Sequence, residues 1–223
     1  MAGKPHVIAF VQGKGGVGKT TIAVSVAAEL KKRGAMLGLV DADPQGSACS
    51  WAETGKLAFP VWRLPLDERP VTTWVAQLGR VPGRVVLIDS APNDRALGAC
   101  VAVADTVMVP CGPSGLDLDA TFRTIGIIEE VRRRRQTSMR VILIPNRVDL
   151  RTLEGQQISE ELKTAGEIVS APVGNRTAFV RAFTTGHAVN QFAPGSPADR
   201  DIQVLCNTLE TVIRAAPRHA RPA

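Results

Sequence analysis

The eight residues Gly13-Lys14-Gly15-Gly16-Val17-Gly18-Lys19-Thr20 constrain this chain more than any other stretch. They satisfy the pattern G-x-x-x-x-G-K-[ST]. An apolar run, His6 to Gln12, stands before them, and a periodic stretch, Lys19 to Arg33, continues from them. Strand, glycine-rich loop and helix in that order form the context in which such a loop closes on phosphate oxygens. Glycines let backbone N–H groups turn inward where a Cβ would intrude. The helix N-terminus adds the positive end of its dipole. Lys19 is then placed to reach β- and γ-phosphates, and the Thr20 hydroxyl to ligate Mg2+.

The rest of the chain alternates in the same way. Leu37 to Asp41, Arg84 to Asp89, Thr106 to Pro110 and Arg140 to Pro145 read as strands buried on both faces. Ile22, Val26 and Leu30 give the first helix its apolar stripe, and Gly34 ends it. A helix is predicted from about Leu116 to Arg135, with Leu118, Phe122, Ile125 and Ile128 on one face. Further helices are predicted near Leu153 to Thr164 and over Asp199 to Arg214, with Ile202, Leu205, Leu209 and Val212 inward. A short extended piece is expected at Glu167 to Ala171. Gly55 to Pro70 reads as an irregular surface excursion. The pattern predicts an α/β fold: a mostly parallel sheet sandwiched by helices, of the P-loop NTPase type. Residues 1–214 form the expected single domain, and 215–223 a flexible basic tail rich in Pro and Arg.

Composition narrows the function classes. Of 223 residues, 44% are hydrophobic and 22% charged, which suits a globular core and excludes disorder over most of the chain. No apolar run reaches the ~20 residues of a membrane span. Met1 to Pro5 lead into no signal-peptide pattern, so a cytoplasmic protein is expected. Cys49, Cys100, Cys111 and Cys206 form no CxxC pair and read as reduced thiols. The net charge of +6 favours polyanionic partners. Aromatics are 4% of the chain and tyrosine is absent, which argues against base stacking on single strands.

Lys14 is the unusual residue of the loop. Its side chain cannot easily double back to the phosphate that Lys19 already holds. It is either a solvated loop lysine or a group that reaches across a two-fold interface into a neighbour's nucleotide. Asp41 and Asp43 end one strand and Asp89 another, close to the phosphates. A carboxylate there can orient an attacking water, hold a metal, or cap the next turn.

The segment Lys14 to Thr21 (KGGVGKTT) resembles the deviant Walker A box of the ParA/MinD family of ATPases. Val40 to Gly46 (VDADPQG) resembles the switch sequence of ParA proteins, and Val86 to Pro92 (VLIDSAP) the family's Walker B segment. Ile144 to Asp149 (IPNRVD) and the pattern from Asn175-Arg176 to Asp199 continue the match in order. The likeness is strongest to short plasmid-partition ParA proteins. It departs in Asp89-Ser90-Ala91-Pro92, where the family commonly has DTPP. Within this segment metal contact needs only Asp89, so no loss is expected.

The resemblance implies an ATP hydrolase with weak intrinsic activity. Lys14 would act across a dimer that sandwiches two nucleotides. Asp43 would position the attacking water. Thr20, Asp41 and Asp89 would serve Mg2+, and Asn146, with Pro172 and Val173, would flank adenine. Asn146 to Asp149 also resembles the NKxD guanine motif, but the other boxes favour ATP. The implied partners are a second copy, DNA bound without sequence preference, and a ParB-like or other cargo adaptor. That places the protein on the nucleoid, positioning a plasmid, a chromosome region or another cargo. Candidate DNA contacts are Arg132, Arg133, Arg134 and Arg135, together with Arg176 and Arg181. The first four equally suit a helix C-terminus, where cations are favoured. The alternative is a MinD-like ATPase on a membrane surface. That needs an amphipathic C-terminal helix, which the two prolines after Arg214 disfavour.

Overall fold

The computed structural model describes residues 4–135 and 137–215. The tail predicted over 215–223 lies outside the described residues, except for Ala215. Among the described residues seven strands form one parallel sheet. These are β1 (His6–Phe10), β2 (Leu37–Asp41), β3 (Val61–Arg63), β4 (Val85–Asp89), β5 (Thr106–Cys111), β6 (Arg140–Pro145) and β7 (Ile168–Val169). Their order across the sheet is β3-β2-β4-β1-β5-β6-β7. The sheet is thus the predicted parallel one, and its fold class is the predicted α/β sandwich.

Side-chain alternation splits the core in two. Val7, Ala9 and Val11 pack on one face, beneath α3 (Val71–Leu78), α4 (Asp94–Val103), α5 (Gly115–Arg134) and α6 (Leu153–Lys163). Ile8 and Phe10 pack on the other face. That face is covered by α1 (Lys19–Lys32), α2 (Ser47–Ala52), α7 (Thr177–Thr185), α8 (Val189–Phe192) and α9 (Pro197–Ala215). The stripes predicted for α1 and α9 are buried as expected.

Two expectations are corrected. Gly55 to Pro70 is not wholly irregular: it contains β3, which pairs in parallel with β2 through Leu39, Val40 and Asp41. Only three residues long, β3 is too short for alternation to reveal. In α5, Ile128 is buried and Leu118 and Ile125 pack against the core, but Phe122 turns outward. Thr121 and Thr124 take inward places instead, because their hydroxyls answer a buried amide. The Gln12 side chain donates to Thr121 Oγ1 at 2.9 Å and accepts from Thr124 Oγ1 at 2.7 Å. Thr124 Oγ1 also accepts from the Gly13 N–H at 3.2 Å, which ties the first loop residue to α5.

This packing separates two large residues of one helix. Ile128→Ala should cost about 2–5 kcal/mol through lost burial and a residual cavity. Phe122→Ala should stay within about 0.5 kcal/mol. Urea unfolding of both variants checks this, with a lowered midpoint expected for the first alone.

Candidate functional site

The parallel register gathers the functional residues at the C-terminal edge of the sheet, where open α/β sheets bind ligands. Phe10 and Asp41 both pair with Asp89, so the ends of β1, β2 and β4 lie side by side. The loop after β1 turns through Gly16 and Gly18, whose φ values are 77° and 95°. A Cβ on Gly18 would also drive into the Asn146 amide. Glycine is therefore required there twice, by conformation and by space.

Lys19 is buried within the loop and donates to the carbonyls of Gln12 and Lys14 at 3.2 and 3.3 Å. Burial lowers its pKa, and the charges of Asp89 and Asp43 pull the other way. Asp89 is 1% exposed, and neither of its oxygens completes a hydrogen bond. Burial pushes its carboxyl up to about 7; Asp41 and Asp43 add to this, and the Thr20 hydroxyl and Lys19 oppose it. A buried carboxylate with unpartnered oxygens beside a hydroxyl and an ammonium fits a hydrated Mg2+ held between Thr20 and Asp89. Among the described residues no cluster of three or more His, Cys, Asp or Glu could hold a metal by itself. Thr20 and Asp89 would supply only part of the ion's shell, leaving positions for water and phosphate oxygens.

Asp41 takes the turn-capping role left open by the sequence. Its two oxygens accept the backbone N–H groups of Asp43 and Cys49, at 3.2 and 2.9 Å, and so shape the switch segment. Asp43 accepts from Gln45 N at 3.0 Å and lines the phosphate half of the cleft. Arg63, on the unforeseen β3, donates to the Pro44 carbonyl at 3.2 Å and steadies the same segment from outside. Then α2 docks on the end of α7. Trp51 Nε1 donates to His187 O at 3.1 Å and Lys56 Nζ to Thr185 O at 2.8 Å. The Trp51 and Phe183 rings meet edge to face with centroids 5.1 Å apart.

Lys14 is not free in solvent. Its ammonium lies 2.6 Å from Asp117 Oδ1, and Ser114 Oγ donates to the other Asp117 oxygen at 2.6 Å. Burial resists ionisation of Asp117, but Lys14, Ser114 and the charge of Arg147 outweigh it and hold the carboxyl below the usual range. Asp117 was not singled out from the sequence. Its signal was present as Ser114-x-x-Asp117, a helix-start pattern in which the Ser114 hydroxyl accepts the Asp117 N–H at 3.2 Å. Gln12, Thr121 and Thr124 carry no such local signal.

Asn146 Nδ2 donates to Val17 O at 2.7 Å, so the amide secures the loop before it meets any base. With Gly18, Thr21 and Ile22 it lines the second half of the cleft. Pro172 and Val173 are not on that wall: Val173 is fully buried in the core, and Pro172 opens on a separate hollow beside Asp149 and Asp201. Gly13 and Gly15 lie along the loop rim, Gly15 with open space around it. Arg147 has φ 57°, the one positive value outside glycine among the described residues. The left-handed region costs an L-residue about 1–2 kcal/mol.

The candidate DNA arginines are mostly engaged. Arg132 pairs with Glu129 and, at 2.6 Å, with Glu167; Arg134 pairs with Glu130 at 2.6 Å. Arg135 donates to the Val101 and Ala104 carbonyls at the end of α4. Arg176 lies 2.7 Å from Asp201. Arg133 and Arg181 are exposed. The four cysteines are free, and burial pushes the Cys49 and Cys111 thiols up to about 11, as expected of inert reduced thiols.

A model of the CobQ/CobB/MinD/ParA nucleotide binding domain matches residues 8–189. The chain belongs to this family. Among its relatives, the maintenance of carboxysome distribution protein A of Gloeobacter kilaueensis is 39% identical over 186 residues, 80% of this chain and 78% of that protein. The ParA protein of Rhizobium radiobacter is 29% identical over 185 residues, 81% and 83% of the two chains. Septum site-determining protein MinD of Pyrococcus horikoshii, solved with Mg-ADP, shares the fold with a TM-score of 0.74 at 15% identity, over 94% of this chain and 97% of that one. The family assigned here is the one that the loop, switch and Walker B segments resemble.

The raised pKa of Asp89 has a definite sign. A carboxyl whose folded pKa exceeds its unfolded value, near 4, adds stability below pH 4 and loses it as pH rises to about 7. In metal-free protein, Asp89→Asn should abolish that decline and raise stability at pH 8 by about 2–4 kcal/mol. Thermal melts from pH 4 to pH 8 with chelator test it; parallel curves for the two proteins would remove the effect.

Proposed function

We propose that this chain is an ATP-hydrolysing positioning protein. ATP and Mg2+ would build a two-fold dimer around two nucleotides, the dimer would hold DNA without sequence preference, and an adaptor protein would stimulate hydrolysis and release. The observation that carries this reading is a pair of adjoining hollows with shared lining residues, read here as one cleft. Its first half is faced by Lys19, Thr20 and Asp43, and its second by Asn146. A triphosphate fits the first half because the loop supplies inward N–H groups, a buried ammonium and a metal-orienting carboxylate.

On this reading each residue takes a role. Lys19 neutralises β- and γ-phosphate charge on leaving the loop carbonyls. Thr20 and Asp89 would hold Mg2+, which would supply positive charge beside the phosphates. Asp43, on the segment shaped by Asp41 and Arg63, orients the attacking water. Lys14 exchanges Asp117 for the phosphates of a neighbouring copy. A relative named for the maintenance of carboxysome distribution supports a cargo of that kind. The net charge of +6 supports a polyanionic surface as the matrix.

Asp43→Ala should retain ATP binding and stop turnover, and so accumulate as an ATP dimer. Lys14→Ala in that background should bind ATP and remain monomeric, because nothing offsets phosphate repulsion across the interface. Light scattering with ATP and Mg2+ reads the outcome, and an undiminished dimer would withdraw the trans role of Lys14.

For DNA, Arg181→Glu and Arg133→Glu are cleaner probes than Arg176→Glu, which also breaks the pair with Asp201. Each reversal that removes a phosphate contact should flatten the slope of log affinity against log salt by about one unit. Filter binding across a salt series measures it. An unchanged slope for both would mean that these arginines are only solvated surface.

A further inference from the structure

The two halves of the cleft share four residues. Gly18, Thr21, Arg147 and Phe183 line both and mark the junction. The phosphate half holds about 360 Å³ and the other half about 240 Å³. A nucleotide with its β- and γ-phosphates in the loop and its base beside Asn146 must lay its ribose and α-phosphate across this junction. Arg147 is the cation there. Its neighbours in sequence and space are committed, Arg151 to Asp149 at 2.6 Å and Arg176 to Asp201 at 2.7 Å. Arg147 is exposed, its charge reaching Asp117, and among the described residues no hydrogen bond or ion pair of its guanidinium is found.

The backbone at this position is costly and fixed. Asn146 N donates to Cys111 O at 2.7 Å and Val148 N to Val173 O at 3.0 Å, so the chain is clamped on both sides of Arg147. The residue between takes φ 57°, a conformation that glycine would adopt without strain. A strained arginine with an uncommitted side chain at a ligand junction is what a binding role requires, since strain persists where the surroundings over-determine it.

We propose that Arg147 is a nucleotide-binding residue whose guanidinium clamps the α-phosphate and ribose across the junction of the cleft. It deepens the reading of this cleft as the ATP site and rests on it. A planar fork with several donors suits a phosphate oxygen and a sugar hydroxyl at once. The contact involves neither the γ-phosphate nor the partner copy, so ATP and ADP should feel it equally. The charge of Arg147 also reaches Asp117, the residue that holds Lys14. A competing role is therefore concrete: Arg147 would serve that carboxylate when Lys14 leaves, and so affect only dimer formation.

The test uses the full chain and calorimetric titration with Mg-ATP and Mg-ADP. Arg147→Gly removes the side chain and relieves the strain. Its melting temperature without nucleotide should equal or exceed that of the parent, while both dissociation constants rise about tenfold or more, the worth of one charge-assisted contact. Arg147→Lys keeps the charge without the fork and should fall between parent and glycine variant. Unchanged ATP and ADP affinities in Arg147→Gly would overturn the proposal, as would a loss confined to ATP-dependent dimerisation in light scattering. Failure of the parent itself to bind either nucleotide would overturn the site reading along with it. Parental binding matched by the variant overturns the role of Arg147 alone.

Discussion

Gln12 is a polar residue with no exposed surface, placed where β1 gives way to the phosphate loop. A buried amide left unpaired costs about 1–3 kcal/mol, so its partners are structurally compulsory. They come from Pro110 at the end of β5 and from Thr121 and Thr124 on α5. The same Thr124 hydroxyl accepts the Gly13 N–H. One buried network thus fixes where the loop starts and how α5 lies against it. That orientation brings Asp117, one turn before Thr121, to the ammonium of Lys14. From the other side the loop is held by Asn146 through Val17. Its glycines turn freely, but its two ends are pinned by tertiary hydrogen bonds.

Within that frame the charges are deliberately out of balance. The charges of Asp43 and Asp89 bear on one buried lysine, and Asp41 bears on Asp89. Asp41 spends both oxygens on the switch backbone, leaving Asp89 as the carboxylate without a partner. In a medium of low effective dielectric such a group holds its proton or takes a cation. Keeping such a carboxylate buried and unpaired is costly, and a cation bound beside it would offset that cost. The switch segment reaches farther still. It leads into α2, which is bonded to the end of α7, and α7 presents Phe179 and Phe183 to the second half of the cleft. The two halves of the cleft therefore share one mechanical support.

Much of this was legible in the residues. The loop motif, the buried strands and the stripes of α1 and α9 follow from local chemistry: glycine at positive φ, a lysine and threonine at fixed offsets, and apolar periods of 2 and 3.6. The strand-end aspartates could be located, though not told apart, because capping a turn and meeting a metal ask for the same side chain at the same place. Phe122 shows the limit for helices. An apolar stripe orients a helix only when the core wants apolar groups, and here the core holds an amide that selects Thr121 and Thr124.

Sequence by itself determined the family, the sheet with its covering helices, and the identity of the phosphate loop, since each depends on residues close together in the chain. Tertiary structure alone decided which carboxylate is left without a partner, that Lys14 rests on Asp117, that Arg63 and β3 brace the switch, and that Asn146 bonds the loop. It also decided that most of the candidate DNA arginines are already paired. Each of these joins residues that are far apart in the chain, such as Asn146 and Val17 or Lys14 and Asp117. Pairings of that kind depend on strand order and helix rotation, which no local pattern of residue types encodes.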